Sequence, residues 1–157
     1  MKPAAIILAF LGMFPLMGAD TSGAMQWTAP QFNDKQKVLA TKLDATGSGM
    51  EQLLKENSYN VVLVHREGKN GQSEIHEHLA DFIIMRSGQC AILVGGQAIN
   101  SKPTVAGELR GDKVEGGTRY SMNAGDMLYI PANTPHQFLI DKGKVVNAIV
   151  IKVEPQK

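Results

Sequence analysis

Histidines carry most of the chemistry that this sequence offers, and three of its four histidines stand in two short stretches. His76 and His78 have one residue between them in SEIHEHLADFIIMRSG, so in a strand both side chains would point to the same face of the sheet. Asp81 follows soon after, and His136 comes directly after a Pro-Ala-Asn-Thr-Pro turn. Three neutral imidazoles and one carboxylate suit a divalent transition metal, so these four residues are the predicted metal ligands.

Glu74 adds a second carboxylate to the first stretch. It stands two residues before His76 and therefore shares its face of the predicted strand. We interpret it as a candidate catalytic acid or base beside the metal, or as a substitute ligand. His65 has no motif around it and is interpreted as a structural or exposed histidine.

The two stretches resemble the paired signature motifs of the cupin superfamily. In that family a first motif supplies two histidines and a carboxylate, and a second motif supplies one further histidine. The residues that fall on the family's positions are His76, His78, Asp81 and Gly88 in the first motif and Gly125, Pro131 and His136 in the second. The chain departs from the pattern at four places: Asp81 stands for Glu and is separated from His78 by only two residues, Gly71 lies one residue too close to His76, Asn133 stands for Gly, and Ile140 stands for Asn.

The resemblance implies a small single-domain cupin of the type-2 barrel that binds one divalent transition metal: iron, manganese, nickel or zinc. Its ligands would be His76, His78, Asp81 and His136. Cupins with this ligand set include dioxygenases, isomerases and decarboxylases, so the resemblance implies a site without choosing the reaction. We therefore expect a metal-dependent enzyme, of the oxidoreductase or isomerase type, that acts on a small organic molecule. The alternative is a non-catalytic exported protein that binds a small molecule, with a structural metal or none.

The surroundings of the predicted metal should be mainly apolar. Ile83 and Met85 are in phase with Asp81 along one predicted strand, and Phe138 is in phase with His136 along another, so these three side chains are the predicted pocket lining. Such a pocket would take a small organic ligand and exclude solvent from the metal. Three polar side chains could reach the mouth of this pocket: Arg110, Arg119 and Tyr120. The favoured interpretation is that they lie on the solvated surface.

The rest of the chain predicts an all-β fold with a short helical segment in front of it. Residues 25–58 hold the helical pattern, with Asn33 or Asp34 as the expected cap and a second short helical turn over residues 50–55. From residue 59 to 157, many short strands separated by Gly and Pro turns indicate an antiparallel jelly-roll barrel, as the cupin resemblance also does. Residues 99–117 are expected to form a long loop or irregular hairpin over the barrel mouth.

Residues 1–24 are interpreted as a signal peptide, because Lys2 precedes an apolar run that small residues follow. A membrane anchor is the alternative, but the run is short for a span. The chain is therefore expected to be exported, periplasmic or secreted, with no membrane association after the signal is removed. With 16 basic and 15 acidic residues, the formal charge of +1 argues against nucleic acid as a partner. The expected partner is a small molecule, and the cupin resemblance allows a homodimer.

Overall fold

Strands make up most of the computed structural model, which describes residues 23–156. Its elements in chain order are α1 Ala29–Ala40, β1 Ser48–Lys55, β2 Tyr59–Glu67, β3 Ser73–His76, β4 Ala80–Ser87, β5 Gln89–Val94, β6 Gln97–Ile99, β7 Lys102–Val105, β8 Glu108–Gly111, β9 Lys113–Glu115, β10 Thr118–Asn123, β11 Met127–Ile130, β12 His136–Leu139 and β13 Val145–Val153. The signal peptide predicted for residues 1–24 lies almost wholly outside the described residues. Among the described residues, no helix is long and apolar enough to cross a membrane.

Two antiparallel sheets enclose the core. One has the strand order β1-β2-β13-β4-β11 and the other the order β10-β5-β12-β3-β8-β7, while β6 and β9 form a small separate pair. Strands far apart in the sequence are neighbours in both sheets, as in a jelly roll. Buried side chains of both sheets, such as Ile83 and Ile92, meet in one apolar cluster. The predicted all-β jelly-roll architecture is therefore confirmed.

The segment before the barrel differs from its prediction. The helix begins earlier than expected, because Thr28 is its N-cap and forms a capping box with Gln31. Phe32 and Leu39 of α1 pack against Leu63 on the outer face of β2. Residues 50–55 are not a helical turn but part of β1, which pairs with β2 in antiparallel register. The segment therefore both covers the sheet and extends it by one strand.

Residues 99–117 form hairpins rather than a loop, and they reach the site. Strands β7 and β8 pair with each other, and β8 pairs with β3, placing Glu108 opposite His76. The strands β6 and β9 pair beside them. The insertion therefore continues the sheet that holds the histidines, so it can supply side chains to them.

The backbone explains which residues two of the motif positions accept. Asn133 stands where the cupin pattern has glycine, and its φ of 58° is in the left-handed region, which Asn enters more readily than most side chains do. Its N–H donates to the carbonyl of His76 at 2.7 Å, which fixes the turn before β12 against the end of β3. Gly88, in the first motif, has no room for a side chain, because a Cβ there would lie 2.1 Å from the carbonyl oxygen of Val145.

Cys90, the single cysteine of the sequence, lies partly buried on β5, and burial raises the pKa of its thiol to about 11 from the ordinary 9.0. The thiolate is the reactive form, so at pH 8 its fraction is about 100-fold below that of an unperturbed cysteine. We expect iodoacetamide to alkylate the folded protein slower by about this factor than the urea-unfolded chain, with a rate that rises as the pH approaches 11. Equal rates in the folded and unfolded chains would contradict this prediction.

Candidate functional site

Two histidines and one glutamate bring their ligand atoms together on one sheet. Glu74 and His76 lie on β3, and His136 lies on the neighbouring β12, where it is the register partner of Glu74. One ligand atom from each of these three side chains lies within 4.8 Å of the others. The imidazole rings of His76 and His136 are 5.1 Å apart between centroids, and both residues are only 2% exposed. These three side chains form the group that could hold a metal ion.

Hydrogen bonds orient both rings towards the centre of this group. Nδ1–H of His136 donates to the carbonyl oxygen of Thr134 at 3.0 Å, and Nδ1–H of His76 donates to Oε2 of Glu108 at 2.6 Å. Nε2 of each ring then faces the carboxylates across the site. Nε2 of His136, for example, lies 4.0 Å from Oε2 of Glu74.

The opposite sheet contributes Asp81 and Lys152, which are register partners on β4 and β13. Oδ2 of Asp81 lies 3.3 Å from Nε2 of His76 and 3.7 Å from Nε2 of His136. Nζ of Lys152 lies 3.0 Å from each Asp81 oxygen and 2.5 Å from Nε2 of His76. Asp81 therefore reaches the cluster, but it is shared with the ammonium group of Lys152, which the sequence interpretation had not included.

Two arginines and a further glutamate complete the polar cluster. Arg66 donates to Oε1 of Glu74 at 3.0 Å, and its guanidinium lies 4.8 Å from the ring centroid of Phe138. Arg110 lies 3.0 Å from Glu108 and 3.6 Å from Glu74. Arg110 therefore belongs to the site, although a solvated surface position was the favoured interpretation for it. Arg119 and Tyr120 are exposed, as expected.

The electrostatics of the cluster favour positive charge at its centre. Burial raises the pKa of Glu74, but Arg66 and Arg110 outweigh it, and the net pKa is lowered. Burial also raises the pKa of Asp81, while the hydrogen bond from His76 and the charge of Lys152 bring it down to about 2. Both side chains are therefore carboxylates at neutral pH.

The two histidines differ in their environments. Burial lowers the pKa of His76, yet its bonds to Asp81 and Glu108 more than compensate, so its pKa is raised. Burial dominates at His136 and lowers its pKa, which keeps that imidazole neutral. A neutral imidazole is the form that binds a metal ion.

His78 lies outside this arrangement. Strand β3 ends at His76, and His78 is exposed in the bend before β4. The expectation that the two histidines share one strand face is therefore wrong, because the strand stops before the second of them. Among the described residues, the group whose metal-ligand atoms lie within 4.8 Å of one another does not include His78. His65 is structural, as interpreted: it is buried and hydrogen-bonded to Asn147 and Glu67.

A cavity of about 390 Å³ opens onto the cluster. Its polar lining includes Glu74, Asp81, Glu108 and Lys152, and its apolar lining includes Val62, Val64, Leu79, Val105, Phe138 and Val150. Of the three predicted pocket residues, Phe138 lies in this lining. Ile83 and Met85 share the inward phase of Asp81 on β4, but they are buried in the apolar core and are not among the side chains that line the cavity.

Comparisons with known proteins find similarity in fold but none in sequence. No family model matches the chain, and none of the curated proteins matches it. The solved structures that resemble it include BH2720 from Bacillus halodurans, with a TM-score of 0.55 at 18% identity over 87% of this chain and 86% of that one. The cupin domain of Schizosaccharomyces pombe Cnp3 has a TM-score of 0.53 at 12% identity over 69% of this chain and 65% of that one.

A third similar structure is an enzyme, the polyketide cyclase RemF from Streptomyces resistomycificus. Its TM-score is 0.50 at 13% identity, over 73% of this chain and 71% of that one. At such low identities these similarities establish the architecture of the chain. The chemistry of its site has to be inferred from its own residues.

Proposed function

Because the chain has the cupin fold, we propose that it binds one divalent transition metal at the bottom of its barrel pocket and acts there on a small organic molecule. Glu74, His76 and His136 would be the protein ligands. The observation that carries this proposal is the convergence of two buried imidazoles and a carboxylate, with ligand atoms within 4.8 Å of one another. The metal would be iron, manganese, nickel or zinc, all of which accept such donors.

The donor set fits such an ion for two reasons. Two imidazoles and one carboxylate on one side of an ion leave coordination positions open for water or a ligand. The hydrogen bonds from His76 to Glu108 and from His136 to Thr134 hold Nε2 of each ring, the atom that would bind the ion, towards the centre. When bound, the ion would polarise an oxygen of the ligand or lower the pKa of a bound water.

The chain's own residues would bind the ligand and keep water away from it. The cavity of about 390 Å³ has room for a small organic molecule, and its apolar side chains, such as Val64, Phe138 and Val150, would cover it. We assign Glu74 to the metal rather than to acid-base catalysis, since Arg66 holds it beside the histidines. Glu108 also lines the cavity, where it accepts the Nδ1–H of His76 at 2.6 Å.

A second candidate function is non-catalytic binding of a small molecule without a metal. One observation favours it: Lys152 already places a positive charge between Asp81 and His76. Export and a homodimer also remain proposals, the first of which depends on the signal peptide interpreted at residues 1–24.

Elemental analysis of the protein, purified without added metal, tests the proposed function directly. We expect about one equivalent of a transition metal per chain, either as isolated or after dialysis against Zn²⁺, Mn²⁺, Ni²⁺ or anaerobic Fe²⁺ and removal of the excess. Perturbation of the His136 ring resonances by diamagnetic Zn²⁺ would locate the ion. A protein that retains none of these four metals would contradict the proposal and leave the metal-free binding function.

A further inference from the structure

The ammonium of Lys152 lies inside the polar cluster, between His76 and Asp81. The residue lies on β13, where Val146, Ala148 and Val150 are buried, so alternation directs Lys152 to the interior as well. Its ammonium contacts Nε2 of His76, the atom that a metal would need, and both oxygens of Asp81. The side chain of Lys152 is only 17% exposed.

The charges of the cluster are balanced with this lysine in place. Three carboxylates, Glu74, Asp81 and Glu108, face three basic side chains, Arg66, Arg110 and Lys152, through the ion pairs of the site. A divalent ion would therefore add an uncompensated charge of two while the ammonium stays. Two cations at this separation in a buried site repel each other strongly.

We infer that Lys152 is a tethered cation that competes with the divalent metal for the Glu74, His76 and His136 site. This inference rests on the proposed function and deepens it. A metal ion that binds Nε2 of His76 must displace Nζ of Lys152, and the ammonium must then leave Asp81 or swing into the cavity. The intact chain consequently binds metal more weakly than its donor set alone would.

Metal affinity in three variants tests the competition. Zn²⁺ and Co²⁺ dissociation constants would be measured by competition with a chromophoric chelator for the wild type, Lys152→Gln, Lys152→Arg and Lys142→Gln. Glutamine keeps an N–H donor for Asp81 without the charge, arginine keeps the charge, and Lys142 is an exposed control for the loss of one positive charge. We expect Lys152→Gln to bind both ions at least about tenfold more tightly, because the repulsion between neighbouring cations is removed.

Lys152→Arg should bind no more tightly than the wild type, and Lys142→Gln should stay within about twofold of it, because an exposed charge is screened. Equal or weaker affinity in Lys152→Gln would overturn the competition while leaving the metal function of the wild type intact. Binding by Lys152→Gln alone would support the competition and contradict a resident metal in the native chain. Binding by none of the proteins would overturn both.

A measurement on the wild-type chain makes the test independent of how well the variants fold. Reductive dimethylation with formaldehyde, quantified by mass spectrometry, reports how accessible each lysine is. We expect saturating Zn²⁺ to increase the labelling of Lys152 several-fold, because its ammonium is released from Asp81 and His76, and to leave Lys142 unchanged. Unchanged labelling of Lys152 in a protein that demonstrably holds Zn²⁺ would overturn the competition.

Discussion

Replacing His76 or His136 with alanine is expected to weaken Zn²⁺ binding by at least about a hundredfold. Loss of a residue that only hydrogen-bonds a metal ligand can already weaken binding by about a hundredfold, and here the ligand itself is lost. Each substitution removes one of the two imidazoles that face Glu74, and the remaining pair of donors cannot hold the ion alone. His78→Ala is the matched control, since this histidine is exposed beyond the end of β3. Its dissociation constant should stay within about twofold of the wild type, because exposed residues outside a site contribute little.

Chelator competition with the same metal stock and pH gives all four dissociation constants, and circular dichroism establishes that each variant is folded. A loss in His78→Ala as large as that in His76→Ala would contradict the arrangement at the end of β3. It would return His78 to the ligand set predicted from the spacing of the histidines. Equal, small losses in all three variants would show that the metal binds elsewhere.

Replacing Lys152 with methionine should destabilise the metal-free protein by about 3 kcal/mol, because breaking a buried ion pair leaves one charge uncompensated. The stranded group is Asp81, which is 3% exposed and held ionised by Lys152 and His76. The double variant Asp81→Asn with Lys152→Met should recover much of this loss, since both charges are then absent. Urea unfolding of the wild type, both single variants and the double variant measures the coupling between the two residues.

An exposed ion pair of the same types provides the control. Lys37 contacts Asp34 on α1 at 2.9 Å, and both side chains are more than 70% exposed. Lys37→Met should cost less than about 1 kcal/mol, as is usual for surface pairs. If Lys152→Met lowered the free energy of unfolding no more than Lys37→Met does, the prediction that the buried pair with Asp81 stabilises the protein more than a surface pair would be contradicted.

The alternation of side chains along strands explains which site residues could be predicted. Glu74 and His76, two residues apart, share a face in the structure as they do in the sequence pattern, and Asp81 shares the inward phase of Ile83. His136 was identified through the second cupin motif. Lys152 follows the same rule, because it is in phase with buried Val150, and counting phases along β13 would have found it.

The pattern of the sequence by itself determined the all-β class and the inward positions of Glu74, His76 and Asp81, because a period of two is a local property of each strand. Only the tertiary structure decided where β3 ends, and with that the exclusion of His78. It also decided which strands become neighbours, bringing Lys152 beside Asp81 and Glu108 beside His76. Those contacts join residues far apart in the chain, and the energy of packing and pairing the two sheets, rather than any local preference, selects them.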